Sequence, residues 1–308
     1  MDLKTKLLVT TAMEDSWGTN EDILFLGEWC RPISPNQRLM QRTVDVCDFH
    51  WRDREKLKED HGNLEKLNER TLECLTKFLN EFHHTQRDTE YWRIIVGPWL
   101  LNYIPVLWDR WESLTLARSQ FKNDHIETFC INSSVSRETA TDFTNALHFF
   151  DSDQWNHQIY TSIMMFRDDL NIKINHANAS LKIDKAMSLY RLNLFQQSYN
   201  LFLRGVDKFC NLISYKKRKF VLFHSYFPKY FLFKLLLRLK VLPGANSLLS
   251  REINYPKAMN RSDLSKMKLN SIGDSSAKDF EGFLSHNILQ DIPIAYLEGY
   301  KSLINLQS

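Results

Sequence analysis

Apolar and polar positions change period along the chain, and those changes mark out its elements. Short unbroken apolar runs open it, at residues 6–11 (KLLVTT) and 23–26 (ILFL). Such runs suit strands buried on both faces, as in a parallel sheet. Across residues 55–84 the period turns helical: Leu57, Leu64, Leu67, Leu75, Phe78, Leu79 and Phe82 recur among Lys, Glu and Arg. Residues 91–111 (YWRIIVGPWLLNYIPVLWDRW) are apolar and aromatic almost throughout, which predicts a buried segment wrapped by the rest of the chain. Residues 94–96 read as a strand or a helix start, and Pro105 argues against one straight helix through Trp111.

Residues 127–131 (ETFCI) are a further strand, and 153–170 and 183–212 carry helical patterns. A basic quartet at 216–219, a strand-like run at 220–223 and a helical stretch at 229–239 follow. Residues 247–273 are polar and irregular, which predicts a loop or flap; 279–303 read as a helix, a break at Pro293 and a second helix. Strands alternating with helices give a helix-rich α/β class. The expected layout is one Rossmann-like domain over residues 1–308, with helical insertions around 55–120 and the polar loop at 247–273.

Composition narrows the function. The net charge is only +3 across 308 residues, so the whole molecule is not built for a polyanion, and no groove-reading motif points to nucleic acid. Nine glycines are under half the usual ~7 % share, which argues against glycine-rich phosphate loops. Neither the dinucleotide nor the P-loop fingerprint occurs, nor a nucleophile elbow, so no cofactor is expected. Cys30, Cys47, Cys74, Cys130 and Cys210 are widely spaced and fit reduced thiols in a cytoplasm; no metal site is expected. No secretory leader or spanning run is apparent, so the chain is expected to be cytoplasmic.

Several polar residues are placed by this pattern. Glu28 and His224 follow strand-like runs, where loops build the crevice of an α/β sheet, and are the acid–base candidates. Thr11, Glu14, Trp17 and Arg31 fall near the same cleft. Arg93, Asp109 and Arg110 punctuate the buried aromatic segment, and buried charges must be paired or face a polar cavity. Asp151-Ser152-Asp153 spells D-x-D, a pattern suited to a divalent ion, though Asp153 as a helix N-cap is simpler. His50, in HWRDR, is an acid–base candidate weighed against a surface position beside a helix opened by Asp53; His83 and His84 suit a helix end. Residues 216–240 hold eight Lys or Arg and no acid, interleaved with aromatics. Lys216, Lys217, Arg218 and Lys219 would contact phosphate or an anionic bilayer, unless the run is simply solvated.

Six strings in order, TTAMEDSW (10–17), ILFLGEWC (23–30), FHWRDR (49–54), YWRIIVGPWL (91–100), QWNH (154–157) and IPIAYLEGY (292–300), carry a resemblance. It is to the N-terminal half of a family of transferases encoded in bacterial O-antigen and surface-polysaccharide clusters. The resemblance implies one half of a two-domain, GT-B-like glycosyltransferase, on its acceptor side. A nucleotide-activated donor would then bind a second half absent from this chain, and the acceptor would be a glycan or lipid-linked glycan at the inner face of the plasma membrane. The motif positions Glu14, Glu28, Trp29, Arg93, Trp99, Asp109, Arg110, Asn156 and His157 are the implied cleft or core residues. The rival expectation is a non-catalytic binding or scaffold subunit, or a truncated remnant, that needs a partner chain. A self-sufficient α/β hydrolase would need a complete polar constellation in one pocket.

Overall fold

The computed structural model describes residues 5–177 and 255–305, apart from 19–20, 33–38, 40–41, 132–136, 260, 265–268, 270–271 and 273–276, and in between only 234 and 238. The chain divides into two compact units, one of Met1–Leu181 with Tyr255–Ser308 and one of Lys182–Asn254. The expected helix at 183–212, the strand at 220–223 and the basic quartet lie outside the described residues.

A five-stranded parallel sheet forms the centre of the first unit. Its strands are β1 (Thr5–Val9), β2 (Asp22–Phe25), β3 (Val44–Val46), β4 (His125–Ile131) and β5 (Ile172–Ala177), in the order β3-β2-β1-β4-β5. In register, Leu7 lies beside Ile23 on one side and beside Glu127 on the other. Leu7, Leu8 and Val9 and the run Ile23 to Phe25 are buried on successive residues, as a strand covered on both faces requires. The α/β class is therefore as the apolar runs predict. Among its described residues the β1–β2 connection carries a short 3-10 turn, Glu14–Ser16. The fully buried Trp17 follows that turn, edge-on to Phe25 at 5.5 Å with Nε1 donating to Thr11 O.

Lys6 is the one cation threaded into β1. It is held between Asp45 (2.9 Å) and Asp124 (2.8 Å) and lies over the Phe121 ring. Burial pulls its pKa down, but the hydrogen bonds to Asp124 and Asp45 outweigh this and leave it above 10.5.

Two long helices connect β3 to β4. The first, α1 (Arg54–His83), is opened by Asp53, whose carboxylate accepts from Glu55 N and Lys56 N. It closes on His84 in the left-handed conformation (φ 53). Asn80 pins the turn: its Oδ1 accepts from Thr85 Oγ1, Arg87 N and Trp92 Nε1. The second, α2 (Thr89–Gln120), runs unbroken through Pro98 and Pro105, against the expectation from Pro105. A proline in a helix leaves the carbonyl four residues earlier unbonded. Here those are Ile94 and Leu101, both exposed residues, where a freed carbonyl can turn to solvent rather than stay buried and unbonded. Most other sides of α2 are buried, with Trp92, Trp99, Leu100, Tyr103, Ile104 and Leu107 at 0 % exposure.

Between β4 and β5 lie α3 (Phe143–Phe150) and α4 (Asp153–Phe166). Ser152, rather than Asp153, caps α4, its Oγ accepting from Trp155 N. Within the polar stretch 247–273, α5 (Arg261–Leu264) is helical and Leu264, Leu269 and Ile272 are buried, so its described part is packed rather than a free flap. The chain then forms α6 (Phe280–Asp291), breaks at Pro293 and ends its described course in α7 (Tyr300–Asn305), as the pattern predicts. Helix α6 seats on α2. Phe280 meets Trp108 at 4.9 Å and Trp111 at 5.8 Å, and Asp291 accepts from Tyr103 Oη at 2.7 Å while pairing with Arg137 at 2.9 Å.

Candidate functional site

A cavity of about 660 Å³ opens at the C-terminal edge of the sheet. Strand order reverses at β1, with β2 and β3 to one side and β4 and β5 to the other, and open α/β sheets bind ligands at such a reversal. Thr10 and Thr11 follow β1, Trp29 follows β2, and Phe49 and Trp51 follow β3. The opposite wall is Pro105, Val106, Asp109 and Arg110 from α2, with Phe150, Asp151, Asp153, Asn156 and Tyr160 from the α3–α4 junction and α4.

Polar groups in this wall hold one another in place. His50 Nε2 lies 2.9 Å from Asp109 Oδ1. An ionised carboxylate only accepts, so the imidazole proton sits on Nε2. The buried His50 Nδ1 has no hydrogen-bond partner among the described residues. Arg110 Nη1 pairs with Asp109 Oδ2, its Nε donates to Asn156 Oδ1 at 2.9 Å, and its Nη2 donates to Phe150 O. Asn156 Nδ2 in turn donates to Phe150 O and Ser152 O. Asp153 Oδ1 accepts from Ala12 N at 3.2 Å, tying the β1 loop to α4. Thr11 Oγ1 is buried with no hydrogen-bond partner among the described residues.

On the other side stand three aromatic rings. Trp29 and Phe49 are 43 % and 41 % exposed and meet edge to face at 6.5 Å. Phe49 meets Trp51 at 5.9 Å and 90°, and Trp51 Nε1 donates to Asp60 Oδ2, which fixes its ring.

Among the described residues the wall carries more carboxylates than cations, a balance unfavourable to phosphate. Three carboxylates, Asp109, Asp151 and Asp153, face one guanidinium, Arg110. The β1 loop from Thr10 to Met13 has no glycine, and the 3-10 turn after it starts with Glu14 and Asp15. An acidic first turn occupies the positive pole that would otherwise favour an anion. Asp153 does the same at the start of α4. Among the described residues no three His, Cys, Asp or Glu side chains converge to hold a metal ion.

Sequence-predicted residues divide into three groups. Trp29, Asp109, Arg110 and Asn156 meet in the cavity wall. Glu28 and Arg31 sit outside it and pair with each other at 3.1 Å, both largely exposed. Arg93 lies elsewhere on α2 and pairs with Glu69 at 2.6 Å; Glu14 is exposed. His157 is buried within α4, and burial pushes its pKa down to about 4, so it is neutral at pH 7. His224, Lys216, Lys217, Arg218 and Lys219 lie outside the described residues.

His50, weighed against a surface position from sequence, is 5 % exposed. The sequence marks Phe49 and Trp51 only as part of the FHWRDR string and gives no sign of Tyr160. The signal for the first two was β3, whose three residues are too short a run to stand out. The D-x-D aspartates do reach the cavity, and the clue was that Ser152 between them is itself a good cap. Cys30 and Cys47 are buried, with pKa values raised to about 12 by burial, which leaves them protonated and poor nucleophiles.

No described helix is long and apolar enough to cross a membrane. No curated protein and no solved structure matches the chain. Over residues 6–308, however, it matches the LIC12162 family transferase. That span is nearly the whole sequence, and the chain belongs to the LIC12162 family of transferases.

Proposed function

We propose that this transferase is glycosyltransferase-like and that the cavity receives the sugar acceptor, in the making of a surface polysaccharide such as an O-antigen. One observation carries the reading: the wall pairs exposed aromatic faces with interlocked carboxylate, guanidinium and amide groups, and its charge is net negative. Flat apolar faces with a few oriented polar groups suit a neutral polyol, while three carboxylates oppose a nucleoside diphosphate. Asp109 is the base in this scheme. Its carboxylate, oriented by His50 and Arg110, takes the proton of the acceptor hydroxyl. The freed oxygen attacks the anomeric carbon of an activated sugar, and the bond from that carbon to its phosphate leaving group breaks. The donor would be held by a second half or a partner chain, where a phosphate cradle can form.

Tryptophan fluorescence of the full chain, titrated with methyl glycosides of common hexoses and deoxyhexoses and with UDP, GDP and pyrophosphate, tests this. Glycosides should shift the emission with Kd on the order of millimolar, and Asp109→Asn should weaken them about tenfold. Tighter binding of UDP, GDP or pyrophosphate than of every glycoside would reject an acceptor cavity.

A further inference from the structure

A second cavity, of about 400 Å³, lies beside the first and is lined by Gly27, Glu28, Trp29, Val46, Cys47, Asp48, Phe49 and Arg52. Trp29 and Phe49 belong to both walls, so one edge-to-face pair of rings separates the two spaces. Both volumes fall in the range of about 300–1,000 Å³ usual for ligand sites. Resting on the acceptor reading above, we infer that the two cavities are consecutive subsites for an extended saccharide, at least two sugar units long, that crosses the Trp29–Phe49 ridge.

Three observations support this. The ridge is exposed, at 43 % and 41 %, where a merely structural aromatic pair would be covered. Each side of it carries carboxylate and guanidinium groups: Asp109 with Arg110 on one, and Glu28 and Asp48 with Arg52 on the other. Hydroxyls on both flanks of a glycan would therefore meet donors and acceptors, while its rings meet Trp29 and Phe49. The outer polar groups are also held in place. Arg52 Nη1 donates to Asp48 Oδ1 at 2.5 Å, and Asp48 Oδ2 accepts from Gln120 Nε2 at 2.8 Å.

The second cavity lies over the ends of β2 and β3, beyond the point of strand reversal. Its position fits a chain entering along the sheet edge, with the reacting sugar at Asp109 and the preceding sugar near Arg52.

The experiment is a glycan array carrying mono-, di- and trisaccharides with shared terminal residues, probed with the labelled full chain. Affinities of the best hits are then measured by calorimetry. Disaccharides should bind at least tenfold more tightly than their terminal monosaccharides, and trisaccharides no more than a few-fold better still. Arg52→Ala, at a side chain 75 % exposed and so without consequence for folding, should bring the disaccharide back to within about threefold of the monosaccharide. Monosaccharides binding as well as disaccharides would overturn the second subsite and leave the acceptor reading standing. An equal loss of mono- and disaccharide affinity in Arg52→Ala would also overturn it. No binding to any saccharide would remove both.

Discussion

His50 and Asp109, fifty-nine positions apart, meet at 2.9 Å in the buried wall of the cavity, and Asp109 reaches Arg110 with its other oxygen. Asp109→Asn keeps the shape but removes the charge that matches Arg110. We expect a loss of about 1–3 kcal/mol in stability and a fall in transfer rate of about 10²–10⁴. His50→Phe should lower the rate less, because it removes orientation and leaves the carboxylate. Urea unfolding of both variants, with transfer rates on a saccharide acceptor, separates the two effects.

Gly27 is the reason Trp29 can stand in the ridge. A Cβ at Gly27 would lie 2.2 Å from the Trp29 ring, far inside contact distance, although the backbone there is extended and suits any residue. Gly27→Ala should therefore swing Trp29 outward without unfolding the chain. Trp29 is the tryptophan among the exposed large hydrophobic residues, so acrylamide quenching of total emission should rise measurably in the variant. Unchanged quenching would mean that the ring and backbone accommodate the methyl group in place.

His157 gives stability a dependence on acid. Its folded pKa is depressed to about 4, against an ordinary 6.5, because burial penalises the charged ring. Between those values the unfolded chain holds a proton that the folded chain refuses. Its contribution is complete above pH 6.5 and is lost as pH falls towards 4, by up to about 3 kcal/mol. Comparison of urea midpoints at pH 7 and pH 4.5 should show a smaller drop for His157→Gln than for the native chain.

Lys6 acts at the opposite end of the scale. Its raised pKa means that its ion pairs stabilise fully below 10.5 and are lost as pH climbs through the raised value. Lys6→Met leaves Asp45 and Asp124 facing each other near β1. We expect a cost of about 2 kcal/mol, less than a fully buried pair because Asp45 is 41 % exposed. Chemical unfolding at pH 7 measures it, and added salt should narrow the difference.

How far the sequence could be read depended on the length of each signal. The runs at β1 and β2 stand out because both faces are covered, and α1 because its stripe repeats over 30 residues. β3 and β5 lie at the sheet edges, where three residues or a mixed IKINHA string carry little pattern. Without β3 the loop after it has no place in the pattern, so Phe49 and Trp51 stand only within the FHWRDR string and not at a strand end. The prolines of α2 misled because the rule counts the missing bond and not where the freed carbonyl points. Asp109 and Arg110 could be marked as needing partners, but His50 and Asn156 became those partners only through the packing of α2 against both neighbours.

The seating of α6 on α2 also bears on synthesis at the ribosome. β1 waits more than a hundred residues for its second neighbour, since Thr5 pairs with His125. The rings of Trp108 and Trp111 wait longer still, for Phe280, and Tyr103 for Asp291. A nascent chain therefore carries an uncovered aromatic face for most of its elongation, and such late, distant closure slows folding and favours association with other chains. Holdase chaperones that bind exposed aromatic segments should engage this chain until residues 280–291 have emerged.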